Sequence, residues 1–301
     1  MAPSEQHHPR SILVGSDLSE ASDRIIQEAA RIADRGGARL HVVSAYPPSV
    51  SSFDRNAEQL PSDAVLAEVN RALPAQIRRI LPEPLHPETQ EVRFGSPARI
   101  ILDRAREIEA DLLILGPHRG RDVHAHFLGT TADEVLRDSE IPCLALRGTL
   151  PIPIGRIGVA TDFSEIGNAA LACALDWATW LGAAGGEDDT IVCAAHVRAP
   201  DEGGDTDDPA SQLESSIRAV TTGRDLPMGI QPSSEVLEDA DIASALAGWA
   251  ERSGLDLLVI GTHGKSGWQR SNLGSVSSAL ARRAACPVLL VPAGDRGDRT
   301  G

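Results

Sequence analysis

Apolar residues recur along this chain in two rhythms that take turns. Short unbroken runs such as Ile12-Leu13-Val14 and Leu112-Leu113-Ile114-Leu115 end in polar residues, as fully buried strands do. Between the first two runs, Ile25, Ile26, Ala29, Ala30, Ile32 and Ala33 fall on one face of a helix. Ser19 is placed to cap its start, and Gly36-Gly37 to stop it. In the first half of the chain the pattern predicts strands over 11–17, 40–46, 88–94, 112–115 and 143–146. Helices are expected over 19–35, 62–80 with a bend at Pro74, 98–108 and 130–138. The Ser- and Pro-rich stretch 47–61 reads as a loop, and Gly95-Ser96-Pro97 as a turn into a helix.

The order strand–helix, repeated and closed by a strand, predicts an α/β fold with right-handed crossovers and a parallel sheet. A doubly wound five-stranded sheet of order 3-2-1-4-5 follows, and its switch point lies between the first and fourth strands. The pattern then starts again. Gly116 and Gly261, Gly129 and Gly274, His118 and His263, Asp111 and Asp256, Pro142 and Pro287, and Asp17 and Asp162 all stand 145 positions apart. The chain is an internal duplication of one small domain. The first domain is expected over 1–148, a proline-rich linker over 149–155, the second domain over 156–294 and a frayed tail over 295–301. In the second copy, strands are expected over 156–161 and 190–197, a helix over 164–181, and loops over 182–189 and 200–209.

Composition narrows the function without naming it. A formal net charge of −15 argues against nonspecific nucleic-acid binding and against an anionic membrane surface. No apolar run approaches the roughly 20 residues a membrane helix needs. The polar start M-A-P-S-E-Q-H-H-P-R lacks the apolar segment of a secretion signal, so a cytoplasmic protein is expected. Cys143, Cys173, Cys193 and Cys286 have no C-x-x-C spacing and do not recur at the repeat offset, which fits reduced packing thiols. His7 and His8 read as part of a solvated tail.

The chemistry concentrates after the fourth strand of the second copy. Leu257-Leu258-Val259-Ile260 is followed by G-T-H-G-K-S-G-W-Q-R-S-N-L-G-S, and a helical pattern begins at Ser275. A strand, a glycine loop and a helix start make a phosphate cradle, in which backbone N–H groups and the helix N-terminus hold the anion. The first copy carries a weaker version, G-P-H-R-G-R-D-V-H-A-H-F-L-G-T, with Arg119 in place of the second glycine. That side chain either fills the phosphate position or binds phosphate through its guanidinium. No acid/base constellation accompanies either loop. Asp162 reads as a hydrogen-bonding residue at the end of the first strand rather than a catalytic base, and His263 as a loop or ligand contact. His118, His124 and His126 read as solvated loop residues rather than a metal site, and Trp268 as packing or as a cover for the nucleotide or a partner surface. Lys265 and Arg270 suit either phosphate contact or solvation.

Three features together resemble the universal stress protein family in its tandem two-domain form. They are S/T-D-x-S-E after the first strand, G-x2-G-x9-G-S/T after the fourth, and the proline before the fifth. The resemblance implies the adenine nucleotide alpha-hydrolase-like fold and ATP binding. Carried over by position, Ala160, Thr161, Asp162, Val197, Gly261, Thr262, His263, Gly264, Gly274, Ser275, Val276 and Ser277 would form the second-copy site. Asp17, Gly116, Gly129 and Thr130 would form a first-copy site. Ala160 departs from the family's less flexible residue, and Ser44-Ala45 stands where the second copy has His196-Val197. Mg2+ would bridge the phosphate oxygens. The resemblance further implies pairing of the two domains through their fifth strands, with a homodimer as a further option. It points to a nucleotide-dependent regulatory or sensory module in stress response. The alternatives are a weak ATP hydrolase and a nucleotide-independent scaffold.

Overall fold

The computed structural model describes residues 8–46, 49–50, 58–59, 63–116, 130–183, 189–198, 200, 208–263 and 273–293. The chain divides into two compact units, one spanning Pro9–Asp138 and the other running from Ser139 onward.

In the Pro9–Asp138 unit, β1 (Ser11–Ser16), β2 (Arg39–Tyr46), β5 (Thr89–Phe94) and β6 (Leu112–Leu115) form a parallel sheet. A minor antiparallel hairpin pairs β3 (Ser49–Val50) with β4 (Glu58–Gln59). The sheet order is β5-β2-β1-β6, which gives the expected 3-2-1-4 of the repeat. Helices α1 (Glu20–Gly36), α2 (Asp63–Ile80), α3 (Pro97–Glu107) and α4 (Thr130–Asp138) complete it. α1 forms where its apolar face was read: Ile26, Ala29, Ala30, Ile32 and Ala33 are buried, Ser19 caps the start, and Gly37 ends it at φ 67°. The central strand β1 buries Ile12, Leu13 and Val14 completely. The short hairpin falls inside the stretch read as loop, because two-residue strands leave no periodicity to detect. Pro74 lies inside α2.

The unit from Ser139 onward holds β7 (Cys143–Ala145), β8 (Arg156–Ala160), β9 (Thr190–Arg198), β10 (Ile230–Glu238), β11 (Leu257–Gly261) and β12 (Val288–Val291). Its helices are α5 (Glu165–Leu181), α6 (Pro209–Thr221), α7 (Ile242–Arg252) and α8 (Ser275–Arg283). The parallel order β10-β9-β8-β11-β12 is the full 3-2-1-4-5. β7, the fifth strand of the first copy, adds to β12 in the antiparallel sense, with Leu289 opposite Leu144. Both strands are buried apolar runs, so their pairing removes an edge that would otherwise expose unpaired backbone.

The duplicated aspartates Asp111 and Asp256 do the same structural job. Asp111 Oδ2 accepts from the N–H groups of Arg10 and Ser11, and Asp256 Oδ2 from those of Gly155 and Arg156, all within 2.8–3.0 Å. Each carboxylate ties the turn before a fourth strand to the start of the adjacent first strand. The four cysteines are free thiols, with Cys143 and Cys286 buried. Burial pushes the Cys143 thiol up to about 12 and that of Cys286 up to about 11, so both remain protonated and unreactive at neutral pH. No described helix is long and apolar enough to cross a membrane.

Candidate functional site

The S/T-D-x-S segment is built from nested turns. Thr161 Oγ1 accepts from Phe163 N at 3.1 Å, Asp162 Oδ1 from Ser164 N at 3.1 Å, and Ser164 Oγ from Gly167 N at 3.1 Å. The first copy repeats the set: Ser16 Oγ accepts from Leu18 N, Asp17 Oδ1 from Ser19 N, and Ser19 Oγ from Ser22 N, at 3.0–3.3 Å. Each side chain satisfies a donor that the strand-to-helix turn leaves unpaired. The middle residue is left-handed in both copies, Leu18 at φ 62° and Phe163 at φ 63°. A bulky residue costs strain there, and the side-chain-to-backbone bonds on either side hold it in place. Ser164→Ala should therefore destabilise the second copy by about 1 kcal/mol, a shift measurable by urea unfolding.

Strand register brings the second-copy residues together. Ala160 pairs with Ile260 on one side and with Ala195 on the other. Thr161 and Asp162 thus leave the sheet beside Gly261 and Thr262, at the switch point predicted from the order of elements. On the other flank, Thr161 N donates to Ala195 O at 3.0 Å, and His196 Nδ1 donates to Thr161 O at 2.9 Å. A carbonyl can only accept, so Nδ1 carries a hydrogen. The imidazole lies against Phe163 with ring centroids 4.4 Å apart. Val197, one residue on, is buried, as are Ala160 and Thr262.

The fourth strand ends in a second set of bonds. Thr262 N donates to Val291 O and Gly274 N to Thr262 O, both at 2.8 Å, and Ser278 N closes the first turn of α8 on Gly274 O. Gly274 stands at the N-cap of α8 and has no side chain to cap it. The N–H groups of Ser275, Val276 and Ser277 begin the helix, where no intrahelical acceptor exists. The Ser277 hydroxyl is buried and donates to Gly261 O at 2.7 Å, so its proton is committed inside the protein. His263 Nδ1 meets Thr262 Oγ1 at 3.0 Å, and its buried Nε2 has no partner among the described residues.

Gly261 answers to packing. A Cβ there would lie 2.4 Å from Cγ2 of Ile166 in the first turn of α5. At Gly116 the obstacle is Ile25, whose Cγ1 would be 2.5 Å away. Neither glycine has a positive φ. The two isoleucines are not repeat partners: position 21 is Ala where the second copy has Ile166, and position 170 is Ala where the first has Ile25. The same close approach of helix to strand end is met from sites one helical turn apart. Reading one copy alone could not find this contact, but the exchanged Ala/Ile pairs at the repeat offset are a signal for it.

In the first copy, Asp17 and Gly116 leave β1 and β6 at the same end of the sheet, and Thr130 opens α4, exposed. Gly129 lies outside the described residues, together with His118, Arg119, Gly120, His124 and His126. In the second copy the same holds for Gly264, Lys265, Trp268 and Arg270. Among the described residues no cluster of His, Cys, Asp and Glu is arranged to hold a metal.

A family model described as the universal stress protein family matches residues 9–147 and 153–292. A universal stress protein of Mycolicibacterium smegmatis is 25% identical over 93% of this chain and 96% of its own length. Universal stress protein G of Salmonella typhimurium is 28% identical over 42% of this chain and 90% of its own. The crystal structure of a universal stress protein from Archaeoglobus fulgidus covers 96% of this chain and 100% of its own, with a TM-score of 0.71 at 20% identity, a likeness of fold.

Proposed function

The chain belongs to the universal stress protein family, and on that premise we propose that its second copy binds an adenine nucleotide, ATP, and uses it as a regulatory signal. The observation that carries this reading is the uncapped start of α8 behind Gly274, set beside the end of β8 by strand register. An uncapped helix start supplies N–H donors and a favourable dipole to an anion. This suits a chain with an overall charge of −15, because backbone groups furnish the local positive potential. Gly274, Ser275, Val276 and Ser277 would hold phosphate oxygens through their amides, with Gly261, Thr262, His263 and Gly264 around them. Ala160, Thr161, Asp162 and Val197 would line the side toward the base. Mg2+ would be held by the phosphates and water, since the described residues offer no carboxylate cluster.

The turn geometry supports a binding role over a catalytic one. Asp162 and Ser164 are engaged in turn and cap bonds. The test is mass spectrometry of nucleotide released from the purified, denatured protein, with its stoichiometry per chain. About one adenine nucleotide per chain is expected, or a thermal upshift with Mg-ATP if the protein purifies empty. About two would extend the reading to the first copy through Asp17, Gly116, Gly129 and Thr130. Empty protein with no shift would overturn it in favour of a nucleotide-independent scaffold.

A further inference from the structure

The Pro9–Asp138 unit buries a histidine with no part in either nucleotide site. His41, in the first half of β2, is 3% exposed. Its Nδ1 meets Thr89 Oγ1 of β5 at 2.8 Å, and the same oxygen accepts from Arg104 of α3 at 3.1 Å. A guanidinium can only donate, so Thr89 Oγ1 spends one lone pair on Arg104 and meets His41 Nδ1 with either its hydroxyl hydrogen or its second lone pair. In either direction His41 Nε2 is a buried atom with no partner among the described residues.

A second proton has no place in this arrangement. In the cation both ring nitrogens carry hydrogen, and Nε2–H would be buried with no acceptor among the described residues. The charges around the ring balance. From β2 comes Arg39, from α3 Arg104, from β5 Glu91 and from the turn before it Glu88. Each carboxylate already has a cation, Glu88 at 3.7 Å from Arg39 and Glu91 at 2.6 Å from Arg104. On the remaining side β1 presents Leu13. Burial is therefore the deciding influence, and it holds the His41 imidazole below its ordinary range.

We propose that the His41–Thr89–Arg104 chain is an acid-sensitive latch, which loosens α3 from β2 and β5 in this unit as the solution is acidified. The sign follows from linkage. A histidine whose folded form resists protonation contributes stability above the ordinary imidazole pKa of about 6.5, and loses it as pH falls and the opened state takes the proton. Between pH 7.5 and 5.0 the equilibrium for opening should rise by up to roughly thirtyfold, the protonation ratio of an ordinary imidazole at the lower pH.

The test is hydrogen exchange by mass spectrometry on the full chain at pH 7.5 and 5.0, corrected for intrinsic rates. Protection over Arg39–Tyr46, Thr89–Phe94 and Pro97–Glu107 should fall by up to roughly thirtyfold, while that over Thr190–Arg198 and Ile242–Arg252 should hold. His41→Gln should remove the difference. Histidine NMR on the unmodified protein reads the same point without a variant: the His41 ring should titrate below the ordinary imidazole value of about 6.5 while folded. Titration at 6.5 or higher, an equal loss of protection in both units, or an undiminished loss in His41→Gln would overturn the proposal.

Discussion

Alanine at Gly261 should destabilise the second-copy unit by about 3 kcal/mol, and removing the side chain of Ile166 should recover most of that loss. The added methyl would meet Ile166 Cγ2 at 2.4 Å, far inside van der Waals contact. Gly261 closes a strand whose residues are all buried, so the backbone has little room to retreat. With Ile166→Ala the nearest remaining atoms would be Ile166 Cβ and the His263 carbonyl oxygen, both at 3.4 Å, a tight but tolerable fit. Urea unfolding of the single and double variants completes the cycle, and the double variant should be the more stable of the two that carry Gly261→Ala. Gly116→Ala with Ile25→Ala should repeat the result in the first copy. Additive losses in both cycles would show that these glycines are needed for some other reason.

This prediction separates two meanings of one motif. In the sequence, the glycine after each fourth strand reads as room for a phosphate. In the structure, its missing side chain is already used by a helix of the same unit. Much of the rest of the fold was legible beforehand, because unbroken apolar runs as short as 112–115 and 257–260, each ending at a glycine, read as buried strands. The 145-residue offset then matched the first strands and the turns around the fourth strands of the two copies. Strand register needed coordinates: nothing in the sequence reveals that Ala160 faces Ile260, or that the His196 ring hydrogen bonds back to Thr161. The role of Asp162 was half legible. Its place in T-D-F-S announces a hydrogen-bonding turn, but only the bond to Ser164 shows which donor it satisfies. A lone histidine in a strand carries no such signal, since the partners that give His41 meaning come from β5 and α3, some fifty and sixty residues away.

Valine at Gly274 should weaken ATP binding at the proposed second-copy site by at least about a hundredfold, close to 3 kcal/mol, while the fold persists. Any Cβ at this position would come within 3.0 Å of the Thr262 carbonyl oxygen and 3.4 Å of Ser277 Oγ. That oxygen is also the acceptor for Gly274 N at 2.8 Å, so the turn cannot shift without disturbing its own hydrogen bond. The displaced segment is the start of α8, whose amides are the proposed phosphate donors. Oxyanion-type sites depend on donors fixed at contact distance, so movement of a few tenths of an ångström is felt more by the ligand than by the core beneath. Ser277→Ala is the informative companion. Its hydroxyl is spent on Gly261 O, so its loss should cost about 1 kcal/mol of stability and leave ATP affinity within a few-fold. Calorimetric titration with Mg-ATP, beside thermal melts of each empty variant, reads affinity and stability separately. Unchanged affinity in a folded Gly274→Val protein would remove the start of α8 from the site. A hundredfold loss in Ser277→Ala with no loss of stability would move the hydroxyl from the scaffold to the ligand.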